Sequence, residues 1–222
     1  MGVKSFKKSK IHIEAYHGTI KLHVKLIETE GFKTSNKIQS WLGDGVYFFR
    51  EDQAQAEIFA KRTSTTRLKE LKEHVQTEEL DKSEYGPCII QWCDQLEKEE
   101  FLNLDSREDA IFFHYHITTF KKMLQEKGYE VETALWEWNN KLFNSLPSAY
   151  TVIQRTFPVP SHKYGKHAEA LFNTVMFFPI LKGNKDVSAE VEYTTTQLIQ
   201  GTMISVRNAE RLSLEKICWK DC

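Results

Sequence analysis

Two strand signals interrupted by glycine, both within the first sixty residues, constrain this chain most. Ile11, Ile13 and Ala15 alternate with polar residues, and His17 continues their face because successive strand residues point to opposite sides. Gly18 follows at once, and its missing side chain leaves a backbone N–H and C=O that a flat amide can approach. Ile20, Val24 and Ile27 then recur at helical spacing until Gly31 supplies a left-handed stop, after which Phe32 turns inward. The second signal is Gly43-Asp44-Gly45, which opens the strand-like run Val46-Tyr47-Phe48-Phe49. A helix bearing Ala54, Ala56, Phe59 and Ala60 comes next. Together these features predict a slot: Gly18 reads an amide, Tyr47 stacks on a flat ring for about 0.5–1.5 kcal/mol, and Phe59 closes the other side. An inward histidine is more often a hydrogen-bonded core residue, and tyrosines bounded by glycine are common in sheets. The combination and order of these residues carry the slot, not any one of them.

The rest of the chain reads as alternating helices and strands. A charged helix is expected from Glu51 to about Gln76, with Glu51 and Asp52 at its positive end and a break at Thr63–Thr66. Pro87–Trp92 reads as a central strand and Leu102-Asn103-Leu104-Asp105 as a short edge or turn. Ser106 and Asp109 make a capping-box-like start to a helix with Phe113, Ile117, Phe120 and Leu124 on one face, ended by Gly128. Leu135, Trp138 and Leu142 mark a further helix that Leu146-Pro147 closes, its aromatic stripe read as core. A strand follows at Tyr150–Phe157. Pro158 and Pro160 then open an irregular stretch with His162, Lys163, Tyr164, Lys166 and His167, the best local candidate for recognising a target and equally well a solvated loop. Ser35 and Ser40 are read first as turn residues.

Composition sets limits. The 222 residues are 41% hydrophobic and 12% aromatic, enough for a core, and the formal net charge of −1 gives no global attraction to nucleic acid. No apolar run reaches the ~20 residues of a membrane span, and the first residues lack the apolar core of a secretion signal, so a cytoplasmic protein without membrane partners is expected. Residues 1–10 form a basic tail, and 11–222 a single domain with a helical insertion at about 106–146. Cys88 and Cys93 fall on opposite faces of one strand, which argues against a zinc site; Cys218 and Cys222 leave that question open. His114 and His116, two apart on a helix, cannot jointly grip a metal, and no metal cofactor is expected.

The series His17-Gly18-Thr19, Gly31-Phe32, and Leu42-Gly43-Asp44-Gly45-Val46-Tyr47-Phe48 followed by an alanine-rich helix resembles the ADP-ribosyltransferase family, in its diphtheria-toxin and poly(ADP-ribose) polymerase-like branch. The resemblance implies an α+β fold of two packed antiparallel-rich sheets that form an NAD cleft, with peripheral helices. It implies that NAD is a substrate: His17 bonds a ribose hydroxyl, Gly18 the nicotinamide carboxamide, Tyr47 stacks on the nicotinamide, and Thr19, Phe48 and Phe59 complete the binding set. The acceptor would be a protein, DNA or RNA. A role as a toxin or phage-defence effector follows from the resemblance too, and with it an antitoxin or immunity partner.

Cleaving the nicotinamide–ribose bond makes an oxocarbenium-like centre that a carboxylate should stabilise. The family carries that group, often glutamate, on a late strand. Here the corresponding stretch is Thr202-Met203-Ile204-Ser205-Val206-Arg207-Asn208, and the third motif position falls on Met203. Glu190, Glu192, Gln197 and Gln200 lie upstream, but aligning them would break the match of Val206-Arg207-Asn208. Met203 argues against polymer synthesis, which asks that residue to activate a ribose hydroxyl. The expected activity is mono-ADP-ribosyl transfer, with NAD or ADP-ribose binding without turnover, or NAD glycohydrolysis, as the alternatives.

Overall fold

The structure, a computed structural model, describes residues 10–34, 40, 42–74, 81–129, 135–157 and 201–222. The described strands are β1 (Lys10–Ile20), β2 (Val46–Arg50), β3 (Pro87–Glu97), β4 (Phe101–Asn103), β5 (Val152–Phe157), β6 (Gly201–Val206) and β7 (Ile217–Asp221). The helices are α1 (Lys21–Glu30), α2 (Gln53–His74), α3 (Arg107–Glu126) and α4 (Leu135–Asn144). The result is an α+β fold. Residues 1–9 of the basic tail, Ser35, the loop of His162 to His167, and Gln197 and Gln200 lie outside the described residues, as do the side chains of Leu135, Trp136 and Trp138, while Lys10, the last residue assigned to the tail, begins β1.

The strands form one seven-stranded sheet in the order β4-β5-β6-β2-β1-β3-β7, antiparallel except for the parallel pair β4–β5. Two packed sheets were expected. They are one sheet because β1 and β2 pair through Ala15–Arg50 and Tyr16–Phe49. That join is short: β1 pairs with β3 over its whole length, Lys10–Glu97 to Ile20–Pro87, but with β2 at those two positions alone.

Each face of the sheet carries its own core. Ile13 and Ala15 pack on one face with Val46, Phe48, Trp92, Leu96, Ile204 and Val206. The other face is covered by helices. Phe113, Ile117, Phe120 and Leu124 of α3 recur on one helical face as expected and pack with Leu142 and Phe143 of α4 onto Leu42, Leu102 and Ile153. The rings of Phe113 and Phe143 stack with centroids 4.9 Å apart.

Local chemistry explains the boundaries. Gly31 stops α1 at φ 75° while its N–H bonds Ile27 O. Asp52 Oδ1 accepts the Gln55 N–H at 3.0 Å, an N-cap for α2, after Glu51 turns the chain at φ 54°. Ser106 caps α3 by accepting from Asp109 N–H, whereas the Asp109 carboxylate reaches past the cap to Asn103 N–H at 2.8 Å. The expected break at Thr63–Thr66 is absent and α2 is continuous. Ser64 Oγ donates to Tyr85 O at 2.6 Å and Thr65 Oγ1 to Lys61 O at 2.9 Å, so these hydroxyls find partners without displacing the helical ladder. The strand read at Pro87–Trp92 extends to Glu97, where the Asp94 carboxylate pairs with Arg211 and Lys216. Among the described residues, no helix is long and apolar enough to cross a membrane.

Candidate functional site

The backbone of β1 alternates in the direction of its hydrogen-bonding groups. Glu14 O accepts from Glu51 N–H at the β2 side, and Lys21 N–H donates to Gly86 O at the β3 side. Even-numbered residues of β1 therefore aim N–H and C=O towards β2, and odd-numbered ones towards β3. Gly18 is even, and it lies beyond Tyr16–Phe49, the last pair of the β1–β2 ladder in that direction. Its N–H and C=O thus face the place where the two strands have parted.

His17 crosses that gap. Its Nδ1 lies 2.7 Å from Tyr47 O. A carbonyl only accepts, so Nδ1 carries the proton. Burial lowers the imidazole pKa below its ordinary 6.5, outweighing the opposing effect of the Tyr47 carbonyl. The ring is therefore neutral at pH 7, with Nε2 as a lone-pair acceptor suited to a hydroxyl donor. Phe48 and Phe32 hold the ring at centroid distances of 5.5 and 6.2 Å. Phe48 itself is 1% exposed, enclosed by Trp92, Phe32 and His17. Its place in the expected binding set is that of a wall behind His17.

Gly18 is required for a reason the sequence reading did not give. A Cβ at this position would sit 2.0 Å from Ala56 O and 2.8 Å from Ala60 N, both on the backbone of α2. The face of Gly18 is therefore filled by the helix, which leaves only its backbone edge, directed towards the β2 side. Thr19 is buried, and its Oγ1 lies 3.0 Å from His23 Nδ1.

Tyr47 points to the sheet face opposite that of His17. It pairs with Ser205, packs at the edge of the α3–α4 core, and shares its face with Phe49 and Met203. The phenol donates to Gly43 O at 2.6 Å and accepts from Leu42 N–H at 2.9 Å. Burial pushes it up to about 12, so it stays neutral. Phe59 of α2 is half exposed on this same side, its ring 6.2 Å from that of Phe49. His17 and Tyr47 are thus joined through backbone and not ring to ring.

Met203 is partly buried and lies in one row across the sheet, Arg155–Met203–Phe49–Tyr16. No carboxylate stands in this row. Its nearest charged member is Arg155, whose pKa burial lowers while Asp105 opposes the shift. Two participants escaped the sequence reading. Ser205 is fully buried with its Oγ beside the Tyr47 phenol, and a Cβ at Gly45 would lie 2.2 Å from that oxygen, so any larger residue there would have to turn the Ser205 hydroxyl away. Asn144 bonds Asp44 in the loop before Tyr47.

All four cysteines are free thiols, with Cys88 buried and Cys93 exposed as their alternation requires; Cys218 Sγ contacts Gln91 Oε1 at 3.3 Å. His114 is exposed, whereas His116 Nε2 lies 2.9 Å from Ser145 Oγ. Among the described residues, no three metal-ligating side chains come together. No protein-family model, no curated protein and no solved structure matches the chain.

Proposed function

We propose that the chain has an ADP-ribosyltransferase-like fold, binds NAD where β1 and β2 part, and transfers single ADP-ribose units to a macromolecular acceptor. The observation that carries this reading is the gap itself: the edge of Gly18 presents one donor and one acceptor, the pair a carboxamide needs, beside a neutral His17. In this reading Gly18 takes the nicotinamide carboxamide and His17 Nε2 accepts from a ribose hydroxyl. Tyr47 and Phe59 supply apolar surface on the helical side. The bond from the ribose anomeric carbon to the nicotinamide nitrogen breaks, and nicotinamide leaves with the electron pair. An acceptor nucleophile then bonds that carbon and gives up its proton. The acceptor is a protein side chain, a DNA base or an RNA group. Roles as a cytoplasmic toxin or antiviral effector, with an antitoxin partner, rest on the resemblance alone.

One observation favours a second reading. Met203 with Arg155 in register offers a cation, not a carboxylate, near the position from which the family steadies positive charge on the sugar. A module that binds NAD or ADP-ribose without turnover fits that pairing.

The test is incubation with NAD labelled in its adenylate half and a total cell extract, divided into protein, DNA and RNA, with a His17→Ala/Tyr47→Ala control. Label in one fraction, absent from the control, supports transfer and names the acceptor. Free nicotinamide and ADP-ribose without labelled macromolecule indicate glycohydrolysis. NAD binding with neither product supports the binding module, and no NAD binding at all removes the proposal.

A further inference from the structure

α4 belongs to the stretch expected to be a peripheral helical insertion, yet it packs directly on the loop that precedes Tyr47, at a position that leaves no room for a side chain. Gly43 sits at φ 79°, and a Cβ there would lie 2.7 Å from Asn144 Oδ1 and 2.8 Å from Phe143 Cβ. The next residue is bonded in both directions: Asp44 N–H donates to Asn144 Oδ1 at 2.8 Å, and Asn144 Nδ2 donates to Asp44 Oδ2 at 2.9 Å. Asn140 Nδ2, one turn earlier, reaches Asp44 Oδ1 at 3.2 Å. The end of α4 is fixed in turn by Arg207, whose guanidinium donates to Leu146 O, Pro147 O and Tyr150 O at 3.0–3.3 Å. The loop so held supplies Leu42 N–H and Gly43 O, two of the groups that bind the Tyr47 hydroxyl.

We infer that Asn144 is a positioning residue for Tyr47: through its reciprocal hydrogen bonds with Asp44 it holds the Leu42–Gly45 loop, and the loop holds the phenol. The effect on the loop stands on these contacts. The effect on a ligand rests on the function proposed above.

The sign of the side-chain bond provides the test. Asn144→Asp sets two carboxylates against each other, while Asp44→Asn combined with Asn144→Asp exchanges the partners, restoring one donor and one acceptor across the contact. Hydrogen exchange is followed at the Leu42 amide, which donates to the Tyr47 hydroxyl and not to position 144, with Ile90 of the β1–β3 ladder as an internal reference. The single variant is expected to speed Leu42 exchange by about tenfold or more with Ile90 unchanged, and the exchanged pair to return it towards the wild-type rate. An unmoved Leu42 amide in Asn144→Asp, or a fast one in the exchanged pair, overturns the inference. NAD titration of the same three proteins separates the two claims. If wild type fails to bind NAD while the exchange pattern holds, the function falls and the positioning stands. If Asn144→Asp loosens Leu42 yet binds NAD as tightly as wild type, the link from loop to ligand is refuted.

Discussion

Gly18→Ala tests the packing of the site against α2 without reference to any ligand. The added Cβ would lie 2.0 Å from Ala56 O and 2.8 Å from Ala60 N. Both are helix backbone, so no rotamer change relieves the contact, and reaching 3.0 Å from the carbonyl requires a retreat of about 1 Å. Forcing a methyl group into a filled contact costs about 1–3 kcal/mol. A chain of 222 residues loses about 2–4 °C of Tm per kcal/mol. Gly201→Ala is the matched control, because a Cβ on β6 would meet the Phe49 ring at an ordinary 3.7 Å. That substitution should change stability by no more than about 1 kcal/mol, tending upwards as the unfolded chain loses freedom. The assay is the urea midpoint of the three proteins at constant slope. If Gly18→Ala and Gly201→Ala are equally stable, α2 does not bear on Gly18 and the explanation of this glycine is wrong.

Other expectations follow from the same contacts. Tyr47→Phe leaves Leu42 N–H and Gly43 O without the phenol and should cost about 1–3 kcal/mol in the same denaturation assay; an unchanged midpoint would show that the loop does not depend on it. Burial lowers the pKa of His17, His23 and His116, so below about pH 6.5 the unfolded chain takes up protons that the folded chain refuses. Stability should therefore be fully present above that value and fall as the solution is acidified, and His17→Asn should flatten the profile. Calorimetry showing stability independent of pH across this window would contradict the neutral His17. For the proposed site, His17→Ala should weaken NAD binding by about tenfold or more, whereas Met203→Ala should alter it little, as titration calorimetry would show. Met203→Glu brings a carboxylate into the row with Arg155 and Phe49 and should raise nicotinamide release; no gain, with NAD still bound, would place the glycosidic bond elsewhere.

What could be read from the sequence was local. The alternation through Ile13 and Ala15, the stop at Gly31 and the face of Phe113, Ile117, Phe120 and Leu124 each depend on neighbours within one element, and each recurs in the structure. What could not be read depends on distant partners. Thr63–Thr66 looks like a helix break until Tyr85 O is found waiting for Ser64. Gly18 is read for the backbone it exposes, and nothing near it in the sequence announces α2 pressed against its face. Asp44 and Asn144 are a hundred positions apart, and nothing in either neighbourhood announces the other. The same limit applies to the join of β1 and β2, a matter of register that periodicity does not encode. Motif order puts His17 and Tyr47 in one slot; strand register puts their side chains on opposite faces, with the Tyr47 carbonyl as the link.

The two-pair join between β1 and β2 divides the sheet into β7-β3-β1 and β2-β6-β5-β4, but the polypeptide does not respect that division. It runs from the first group to the second at β2, back at β3, over again at β4 and home at β7. Neither group is a continuous segment, so no single cut in the chain releases one intact from the other. The two are laced together. A weak line through the sheet would ordinarily mark a boundary between independently folding units; here the lacing ties both sides into one cooperative fold.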